Sequence, residues 1–295
     1  MVSSAETALH RSYLYAPGSS PGVMRKALSA GADAVILDLE DAVAPRAKDQ
    51  AREQVAAVLD ERTSAGGGHV PAVHVRINRA DASYLGDDLD AVVRPGLDAI
   101  RLPKSESAAA IAEVAASLDV LEQRRGLSPG RIRLYPTVES ALGAVSIAAL
   151  VSASPRVARA AIGTADLLAD LGAAGDDDLA TLHVRSEMVL RSRVAGVGPP
   201  IDSVHTDLDD EAGLRAAARR GRALGFHGKS VIHPRQLEAV HAVFTPTPQE
   251  VARAEAIVAA AEAADDEGRG GVTLEGGFVD AAVVARARAV LSLRR

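Results

Sequence analysis

Residues Ala34–Leu39 read AVILDL, an almost continuously apolar run. A helical pattern follows at Lys48–Arg62, and a second run of the same kind, AVHVRI, follows at Ala72–Ile77. Apolar runs of this length are typical of parallel strands that are covered on both faces. The alternation of strand and helix recurs along the chain and predicts eight strands, at Tyr13–Ala16, Ala34–Leu39, Ala72–Ile77, Ala99–Leu102, Ile132–Val138, Val157–Ile162, Pro200–Val204 and Gly228–Ile232.

Eight strand–helix repeats fit either a (β/α)8 TIM barrel or a long doubly wound sheet, both of the α/β class. No GxGxxG fingerprint follows the first strand, so the dinucleotide-binding form of the doubly wound sheet has no support. The chain has 295 residues, and a TIM barrel typically needs about 250. We therefore predict a catalytic TIM barrel at residues 1–264. Residues 265–295 form a C-terminal extension, a hairpin plus a helix, that acts as a lid or a subunit contact.

Composition excludes several classes of function. The chain has no Cys, which excludes disulfides, thiol nucleophiles and Cys-zinc sites. Aromatic residues make up 2% of the chain and the net charge is −6, which argues against a nucleic-acid partner. No apolar run is long enough to span a membrane, and the first residues lack the apolar segment of a signal peptide. We expect a cytoplasmic protein.

Ionisable side chains collect at the carboxyl ends of the predicted strands, where the catalytic groups of a TIM barrel lie. These strand ends carry Asp38, Glu40, Asp41, Arg76, Asn78, Lys104, Glu139, Asp166 and His233. No His and Cys cluster suits zinc, and carboxylates with few nitrogen ligands favour Mg²⁺ or Mn²⁺. Glu139 and Asp166 would suffice for Mg²⁺, which usually takes one or two carboxylates and keeps several waters.

Each of these side chains also has a structural alternative. Glu139 could be a carboxylate at a helix N-terminus, and Asp166 could be an N-cap. Arg76 ends a strand inside the barrel, where an unpaired guanidinium is costly. It must therefore face a carboxylate, either in the protein or in a bound 2-oxoacid, which its planar fork suits better than a lysine would. Glu40 is expected beside Arg76, where it would orient the site.

Five motifs occur in a fixed order along the chain: RSYLYAPG at Arg11–Gly18, DLEDA at Asp38–Ala42, VRIN at Val75–Asn78, LPK at Leu102–Lys104 and GKSVIHP at Gly228–Pro234. Together they resemble the citrate lyase beta-subunit-like proteins of the HpcH/HpaI aldolase/citrate lyase family. The resemblance implies a TIM barrel that binds Mg²⁺ and breaks or forms a carbon–carbon bond in a CoA thioester. It also places the two metal-binding carboxylates on Glu139 and Asp166.

Further residues are candidates for substrate binding or catalysis. Arg11 and Lys104 are basic groups expected near the barrel mouth, where an acidic protein needs positive charge to hold CoA phosphates; surface exposure and an ion pair are their alternatives. Pro17 and Gly18 precede the first helix, where backbone N–H groups could bind an anion. The resemblance implies that Asp280 reaches a neighbouring subunit's site as an acid or base, although it also fits the N-cap of the last helix.

The expected enzyme is a Mg²⁺-dependent lyase with Arg76, Glu40 and Asp280 as catalytic residues. Its substrate would be a malyl-CoA-, citramalyl-CoA- or citryl-type thioester, cleaved to an acyl-CoA and a 2-oxoacid or formed in reverse. Two alternatives stay open: a class II aldolase acting on free 2-oxoacids, and a citrate lyase beta subunit that needs partner chains. A homo-oligomer, with a trimer suggested by the resemblance, is expected.

Overall fold

A computed structural model describes residues 9–64, 70–80, 83–174, 177–266, 271–274 and 276–294. The chain divides into two compact units, the first ending at Val240 and the second beginning at His241. Among the described residues, no helix is both long and apolar enough to cross a bilayer.

The first unit is built on a parallel sheet. In the described part of the chain its seven strands are β1 (Ser12–Pro17), β2 (Ala34–Asp38), β3 (Ala72–Arg76), β4 (Ala99–Leu102), β5 (Arg133–Val138), β6 (Ala161–Ile162) and β7 (Lys229–Val231). Their order in the sheet is β6-β5-β4-β3-β2-β1-β7. All five residues of β2 are buried, as expected of a strand covered on both faces. The predicted α/β fold with a parallel sheet is confirmed.

Residues Ile201 and Asp202 join the two ends of this strand order. Ile201 forms a parallel bridge with Ala161 of β6, and Asp202 forms one with Lys229 of β7. The predicted strand Pro200–Val204 is therefore reduced to these two bridging residues. Pro200 has no backbone N–H to give to a strand ladder, which limits the pairing on its side.

Helices follow the strands of the first unit. Their bounds are α1 (Pro21–Leu28), α2 (Lys48–Ser64), α3 (Leu85–Val92), α4 (Ala108–Arg124), α5 (Ala141–Val151), α6 (Thr164–Asp170), α7 (Asp177–Ala195) and α8 (Glu211–Leu224), with α9 (Leu237–Phe244) running across the boundary between units. Local chemistry sets several ends. The Ser140 hydroxyl accepts a hydrogen bond from the Gly143 amide at 3.1 Å and caps α5. Gly225 ends α8 with φ of 107°, a backbone conformation that favours glycine.

One face of the sheet encloses an apolar core made of small and aromatic side chains. Its buried members are Tyr13, Ala34, Ile36, Ala99, Tyr135, Ala158, Ala161 and Ile201, with Tyr15 and Ala72 packed against them. Tyr13 and Tyr15 lie two residues apart on β1, so both point to this face. The core thus extends along the strands towards their carboxyl ends.

The second unit contains helix α10 (Pro248–Asp266), a two-stranded antiparallel hairpin of β8 (Val272–Leu274) and β9 (Gly277–Val279), and helix α11 (Ala281–Ser292). Helices α10 and α11 pack together, burying Ala254 and Ala287. This unit starts before residue 265 and includes α10. The functional division into a catalytic barrel to residue 264 and a lid or subunit contact from 265 stays a prediction.

Candidate active site

The carboxyl edge of the sheet, defined as the edge at which the parallel strands end, gathers most of the predicted site residues. Asp38 and Arg76 are the last residues of β2 and β3. Lys104 follows β4, Glu139 directly follows β5, and Asp166 lies in the first turn of α6 after β6. The strands are parallel, so these ends meet at one edge, as the barrel prediction requires.

Arg76 is held by Asp38, the last residue of β2, and by the acidic loop that follows, which contains Glu40 and Asp41. Its Nε and Nη2 atoms each donate to one oxygen of Asp38 at 2.7 Å, a bidentate pair. Its Nη1 atom lies 2.9 Å from Glu40 Oε2 and 3.4 Å from Asp41. The Arg76 guanidinium also stacks on the Tyr15 ring, 5.1 Å from its centroid. Burial lowers the pKa of Arg76, but its contacts with Asp38 outweigh this and raise it, so the group stays charged.

Arg76 thus faces carboxylates of the protein, with Asp38 and Glu40 closest and Asp41 farther away. Asp38 also accepts hydrogen bonds from the Glu40 and Ala42 amides, at 2.9 and 3.0 Å, and so fixes the loop that presents Glu40. The structural alternative for Arg76 is thus present. Nη1 is the one nitrogen that Asp38 does not hold; it faces Glu40 and Asp41, and a substrate carboxylate could use it in competition with them.

Lys104 joins this acidic loop to Glu139. Its Nζ atom lies 2.5 Å from Glu40 Oε1, and its backbone N–H donates to Glu139 Oε1 at 2.5 Å. Burial raises the pKa of Glu40 against the opposing effects of the Arg76 and Lys104 charges. Lys104 has φ of 46°, the only positive φ of a non-glycine residue in the part of the chain described here. Such backbone strain is commonly found at functional sites, and here it aims the amide at Glu139.

Glu139 is the most perturbed carboxylate of this edge. Its residue is 5% exposed. Burial, together with the nearby charges of Glu40 and Asp166, raises the pKa of Glu139 to about 7, although the Lys104 amide opposes this. Gly163 leaves the space that this side chain uses, since a Cβ atom there would lie 2.2 Å from Glu139 Oε2. Ser140, not Glu139, caps the following helix.

Asp166 is exposed in the first turn of α6. The N-cap of α6 is Gly163, so the alternative in which Asp166 is an N-cap is wrong. Asp166 lies close enough to Glu139 for its charge to raise the pKa of that carboxyl. The two predicted metal carboxylates are therefore neighbours.

The donors present fit a magnesium ion. The described residues hold no group of three or more His, Cys, Asp or Glu side chains suited to a metal. Mg²⁺ is usually bound by one or two carboxylates and retains waters, so Glu139 and Asp166 meet its requirement. A cation beside Glu139 would also favour the charged form of a carboxyl that burial and its acidic neighbours disfavour.

Sequence reasoning missed Lys48, which organises the site from below the acidic loop. Its buried Nζ atom donates to the Leu39 and Glu40 carbonyls at 2.6 and 2.8 Å and to Asn78 Oδ1 at 2.7 Å. Asn78 in turn donates to Asp88 at 2.7 Å. Burial lowers the pKa of Lys48, and the neighbouring carboxylates oppose this shift. Lys48 is the first residue of α2, and from the sequence alone a lysine at this position is expected to be exposed to solvent.

Three predicted substrate-binding residues need correction. Arg11 precedes β1 and so lies at the amino edge, where the strands begin; its Nε and Nη2 atoms donate to Asp33 at 2.9 and 2.7 Å. The expectation that Arg11 lies near the barrel mouth is wrong. The Gly18 N–H donates to the Asp38 carbonyl at 2.8 Å, and Pro17 has no N–H. Neither Pro17 nor Gly18 therefore presents a free backbone donor to an anion.

Asp280 lies in the second unit. Its carboxylate accepts a hydrogen bond from the Val283 amide at 2.9 Å and caps α11. The capping alternative is thus observed, and the catalytic role stays a prediction.

A cavity of about 400 Å³ borders the acidic loop of the first unit. Its lining combines Glu40 and Asp41 with Lys48, Asn78, Arg79 and Tyr84, and with the apolar turn 43–45. The cavity contains both signs of charge and an aromatic ring beside the carboxyl edge. A substrate larger than a 2-oxoacid would find room there.

Comparison with known proteins shows the family of the chain. The family model described as HpcH/HpaI aldolase/citrate lyase matches residues 11–234. The chain belongs to this family. Its match covers β1 to β7 and all predicted site residues except Asp280. The predicted family is confirmed.

Individual relatives extend over nearly the whole chain. The citrate lyase subunit beta of Escherichia coli is 36% identical, covering 97% of this chain and 94% of that protein. A (3S)-malyl-CoA thioesterase of Cereibacter sphaeroides is also 36% identical, covering 96% of this chain and 93% of that protein. The structure of CitE from Mycobacterium tuberculosis in complex with magnesium, acetoacetate and coenzyme A has a TM-score of 0.76 and 31% identity. It covers 97% of this chain and 98% of its own. The expectation of a lyase family whose members bind magnesium is therefore confirmed.

Proposed function

We propose that this chain is a Mg²⁺-dependent carbon–carbon lyase. Its substrate is a 3-hydroxyacyl-CoA with a carboxylate next to the hydroxyl carbon, of the malyl-CoA, citramalyl-CoA or citryl type. Cleavage releases an acyl-CoA and a 2-oxoacid, and the reverse reaction is a condensation. The fold proposed to carry this activity is a closed eight-stranded TIM barrel, with Ile201 and Asp202 supplying the short strand between β6 and β7.

The observation that carries this proposal is the excess of acid at the carboxyl edge. Buried Glu139 lies near Asp166 and Glu40, and its pKa is raised to about 7. The strained Lys104 amide holds Glu139 Oε1, and Gly163 leaves room for Oε2. A perturbed carboxylate such as Glu139 marks a functional site, and Glu139 together with Asp166 matches the donor set of Mg²⁺. The magnesium bound to the Mycobacterium tuberculosis relative supports the same metal here.

Arg76 is proposed to anchor the substrate carboxylate through the Nη1 side of its guanidinium. Asp38 holds Nε and Nη2, so the group is already oriented before substrate arrives. Pre-orientation of this kind removes an entropic cost from the reaction. Glu40 keeps both Arg76 and Lys104 in position through its two oxygens. Lys104 places a positive charge where the substrate is expected to be anionic.

Glu139 and Asp166 would hold Mg²⁺, which would act as a Lewis acid and polarise the substrate oxygens. The protein must then accept the hydroxyl proton and return one to the acyl-CoA enolate that bond cleavage leaves. Asp280 is the proposed proton donor, acting from the second unit of a neighbouring subunit in a homo-oligomer, with a trimer as the proposed state. Mixing inactive Asp280→Asn with inactive Glu139→Ala subunits should restore partial activity, and no recovery in exchanged oligomers would contradict a shared site.

A second candidate is thioester hydrolysis. One relative, at 36% identity, is a (3S)-malyl-CoA thioesterase. The same carboxyl edge could hold a metal and a hydroxyacyl-CoA for hydrolysis. The two candidates differ in their products, because hydrolysis releases free CoA thiol and leaves the acid intact.

The deciding experiment uses this difference. The purified chain is incubated with Mg²⁺ and malyl-CoA, citramalyl-CoA or citryl-CoA, with the corresponding CoA-free hydroxyacids as controls. Two products are measured, the 2-oxoacid as its hydrazone and the free thiol with a disulfide reagent. The chain has no Cys, so every thiol detected comes from CoA.

We expect 2-oxoacid without free thiol from one thioester, and no product with EDTA. Free thiol without 2-oxoacid would establish the thioesterase. Cleavage of a CoA-free 4-hydroxy-2-oxoacid, offered as a further control, would favour the class II aldolase. Inactivity on all substrates until acyl-carrier and transferase chains are added would favour a citrate lyase beta subunit.

A further inference from the structure

Arg101 of β4 lies inside the first unit with no partner for its charge. The residue is 1% exposed. Its guanidinium carbon lies 4.6 Å from the centroid of the Tyr13 ring and 5.2 Å from that of Tyr135. None of its three side-chain nitrogens has a hydrogen-bond partner among the described residues. Within the described parts of the chain, the favourable contacts of this charge are with the faces of the two rings.

Other buried arginines of this unit differ in this respect. Arg159 donates to the Tyr13 hydroxyl and to the Pro199 carbonyl, each at 2.6 Å. Arg185 pairs with Asp202 at 2.6 Å, and Arg156 pairs with Glu122 at 2.5 Å. A guanidinium stays charged in proteins, and a buried charge without partners is destabilising. Arg101 therefore lowers the stability of the fold. A functional role for its charge would explain why the chain keeps it.

The position of Arg101 shows where its charge acts. In the sheet register, Arg101 pairs with Arg76 on β3 and with Tyr135 on β5, so the three side chains share the interior face. Lys104 follows Arg101 by three residues, which span at most about 10 Å of chain. Tyr15 experiences the charges of both Arg76 and Arg101. Arg101 thus lies on the interior face beside Arg76. We call the part of this face formed by Arg76, Arg101 and Tyr135 the floor of the candidate site.

We propose that Arg101 is a positioning residue that gives this floor a fixed positive potential and so stabilises substrate anions held at the carboxyl edge. The inference rests on the proposed function, in which the substrate carboxylate and the developing alkoxide lie at that edge. A fixed charge in a dry interior acts over a longer range than one in water and needs no reorganisation during the reaction. Tyr13 and Tyr135 hold the guanidinium by stacking and leave its charge uncompensated.

The proposal predicts opposite effects on stability and on anion binding. Replacing an unpaired buried charge by an apolar side chain of similar length should leave the protein equally or more stable. The same change should weaken binding of anions by a factor that grows with their charge. At a separation of about 10 Å and an effective dielectric constant of about 20, one charge corresponds to roughly ten-fold in affinity.

The test compares Arg101→Met and Arg101→Lys with the unchanged chain, with Arg156→Met as the matched control for losing a buried arginine. Melting temperatures are measured in EDTA. Dissociation constants for pyruvate, a monoanion, and oxalate, a planar dianion, are measured by calorimetry with Mg²⁺. For Arg101→Met we expect an equal or higher melting temperature, about ten-fold weaker pyruvate binding and a larger loss for oxalate. Arg101→Lys should retain most of the affinity, and Arg156→Met should lose stability but not affinity.

Equal losses for pyruvate and oxalate, or a lower melting temperature with unchanged affinities, would assign Arg101 to the fold and overturn the proposal. Arg101→Gln provides a second neutral variant, and failure of both neutral variants to fold would lead to the same conclusion. If the unchanged chain binds neither anion with Mg²⁺, the proposed function fails first and the role of Arg101 falls with it. That outcome differs from normal binding that is insensitive to Arg101.

Discussion

The two edges of the parallel sheet use charge in different ways. At the amino edge, Arg11 pairs with Asp33 at 2.7 Å, and Arg62 pairs with Asp98 at 2.8 Å. Each of these two carboxylates has at least one arginine there, and Asp98 has a second, Arg131, at 3.8 Å. At the carboxyl edge, Arg76 and Lys104 are shared among a larger acidic group, and the described carboxylates there are Asp38, Glu40, Asp41, Glu139 and Asp166.

This difference separates folding from function in one sheet. At the amino edge these carboxylates are matched by arginines of the protein, and the pairs require nothing from outside it. The carboxyl edge keeps more acid than base, at the cost of a buried carboxyl whose pKa is raised to about 7. In the proposed function, a cation completes this edge. The same division, with stability at one end and chemistry at the other, is general in TIM barrels.

The largest effect should come from removing the acid at Glu139. Glu139→Gln keeps the shape of the side chain but removes its charge, so the candidate metal site is left with Asp166 alone. We expect turnover with Mg²⁺ to fall on the order of 10³-fold, because metal catalysis contributes several kcal/mol. Mg²⁺ affinity, measured by calorimetry, should fall in parallel. Glu122 is a buried carboxyl paired with Arg156, so Glu122→Gln tests whether the loss of any buried acid lowers turnover and Mg²⁺ affinity. Full turnover in Glu139→Gln would refute the metal assignment.

The next effect concerns the stability of the metal-free protein. Between pH 4.5 and about 7, Glu139 carries a proton in the folded protein, where its pKa is raised from 4.5, but has lost it in the unfolded chain. The folded state therefore binds more protons, and its free energy of unfolding decreases as pH rises through this window. The loss attributable to Glu139 is about 3 kcal/mol. Urea unfolding in EDTA at several pH values measures it.

Glu139→Gln is the reference for this measurement, because it removes the titrating group and keeps the other carboxyls. Its stability should exceed that of the unchanged chain increasingly towards pH 7. Above pH 7, Mg²⁺ should stabilise the unchanged chain, since the charged carboxylate is the form that binds metal. Parallel stability curves for the two proteins would show that Glu139 has an ordinary pKa.

A third test exchanges one arginine for lysine at each edge. Arg76→Lys should lower turnover about 10²-fold, because an ammonium cannot hold Asp38 in a bidentate pair and face a substrate carboxylate at the same time. Arg62→Lys at the amino edge should reduce stability slightly and leave turnover unchanged. Equal kinetics in both variants would mean that Arg76 is only an ion-pair partner of the acidic loop.

Sequence alone predicts the carboxyl edge well, because strand ends are marked locally by the change from apolar to ionisable residues. Asp38, Arg76 and Glu139 follow from that rule, and the structure places them at one edge. Arg11 shows the limit of the approach. It precedes a strand, so the same rule should have assigned it to the amino edge, and its link to a CoA-binding role came from motif order.

Other features depend on tertiary contacts and have no local signal. Lys48 is buried because the acidic loop folds over it. Lys104 has a positive φ although it is not a glycine, so the sequence gives no sign of this conformation. The sequence does predict a strand at Pro200–Val204, but not that its pairing is limited to the bridges of Ile201 with β6 and Asp202 with β7. The environment of Arg101 also differs from what its sequence context suggests. An arginine inside an apolar run suggests a salt bridge, and the structure provides two tyrosine rings instead.

The smallest expected effect lies outside the first unit, at Asp280. Its carboxylate caps α11 through the Val283 amide, so Asp280→Ala should lower the free energy of unfolding by about 1 kcal/mol. Asp280→Asn should leave stability nearly unchanged, because an asparagine oxygen accepts the same hydrogen bond. Turnover measured in the same two variants separates capping from chemistry. Loss of turnover in both, although only the alanine variant is destabilised, would support a proton-transfer role. Normal turnover in the asparagine variant would confine Asp280 to its helix.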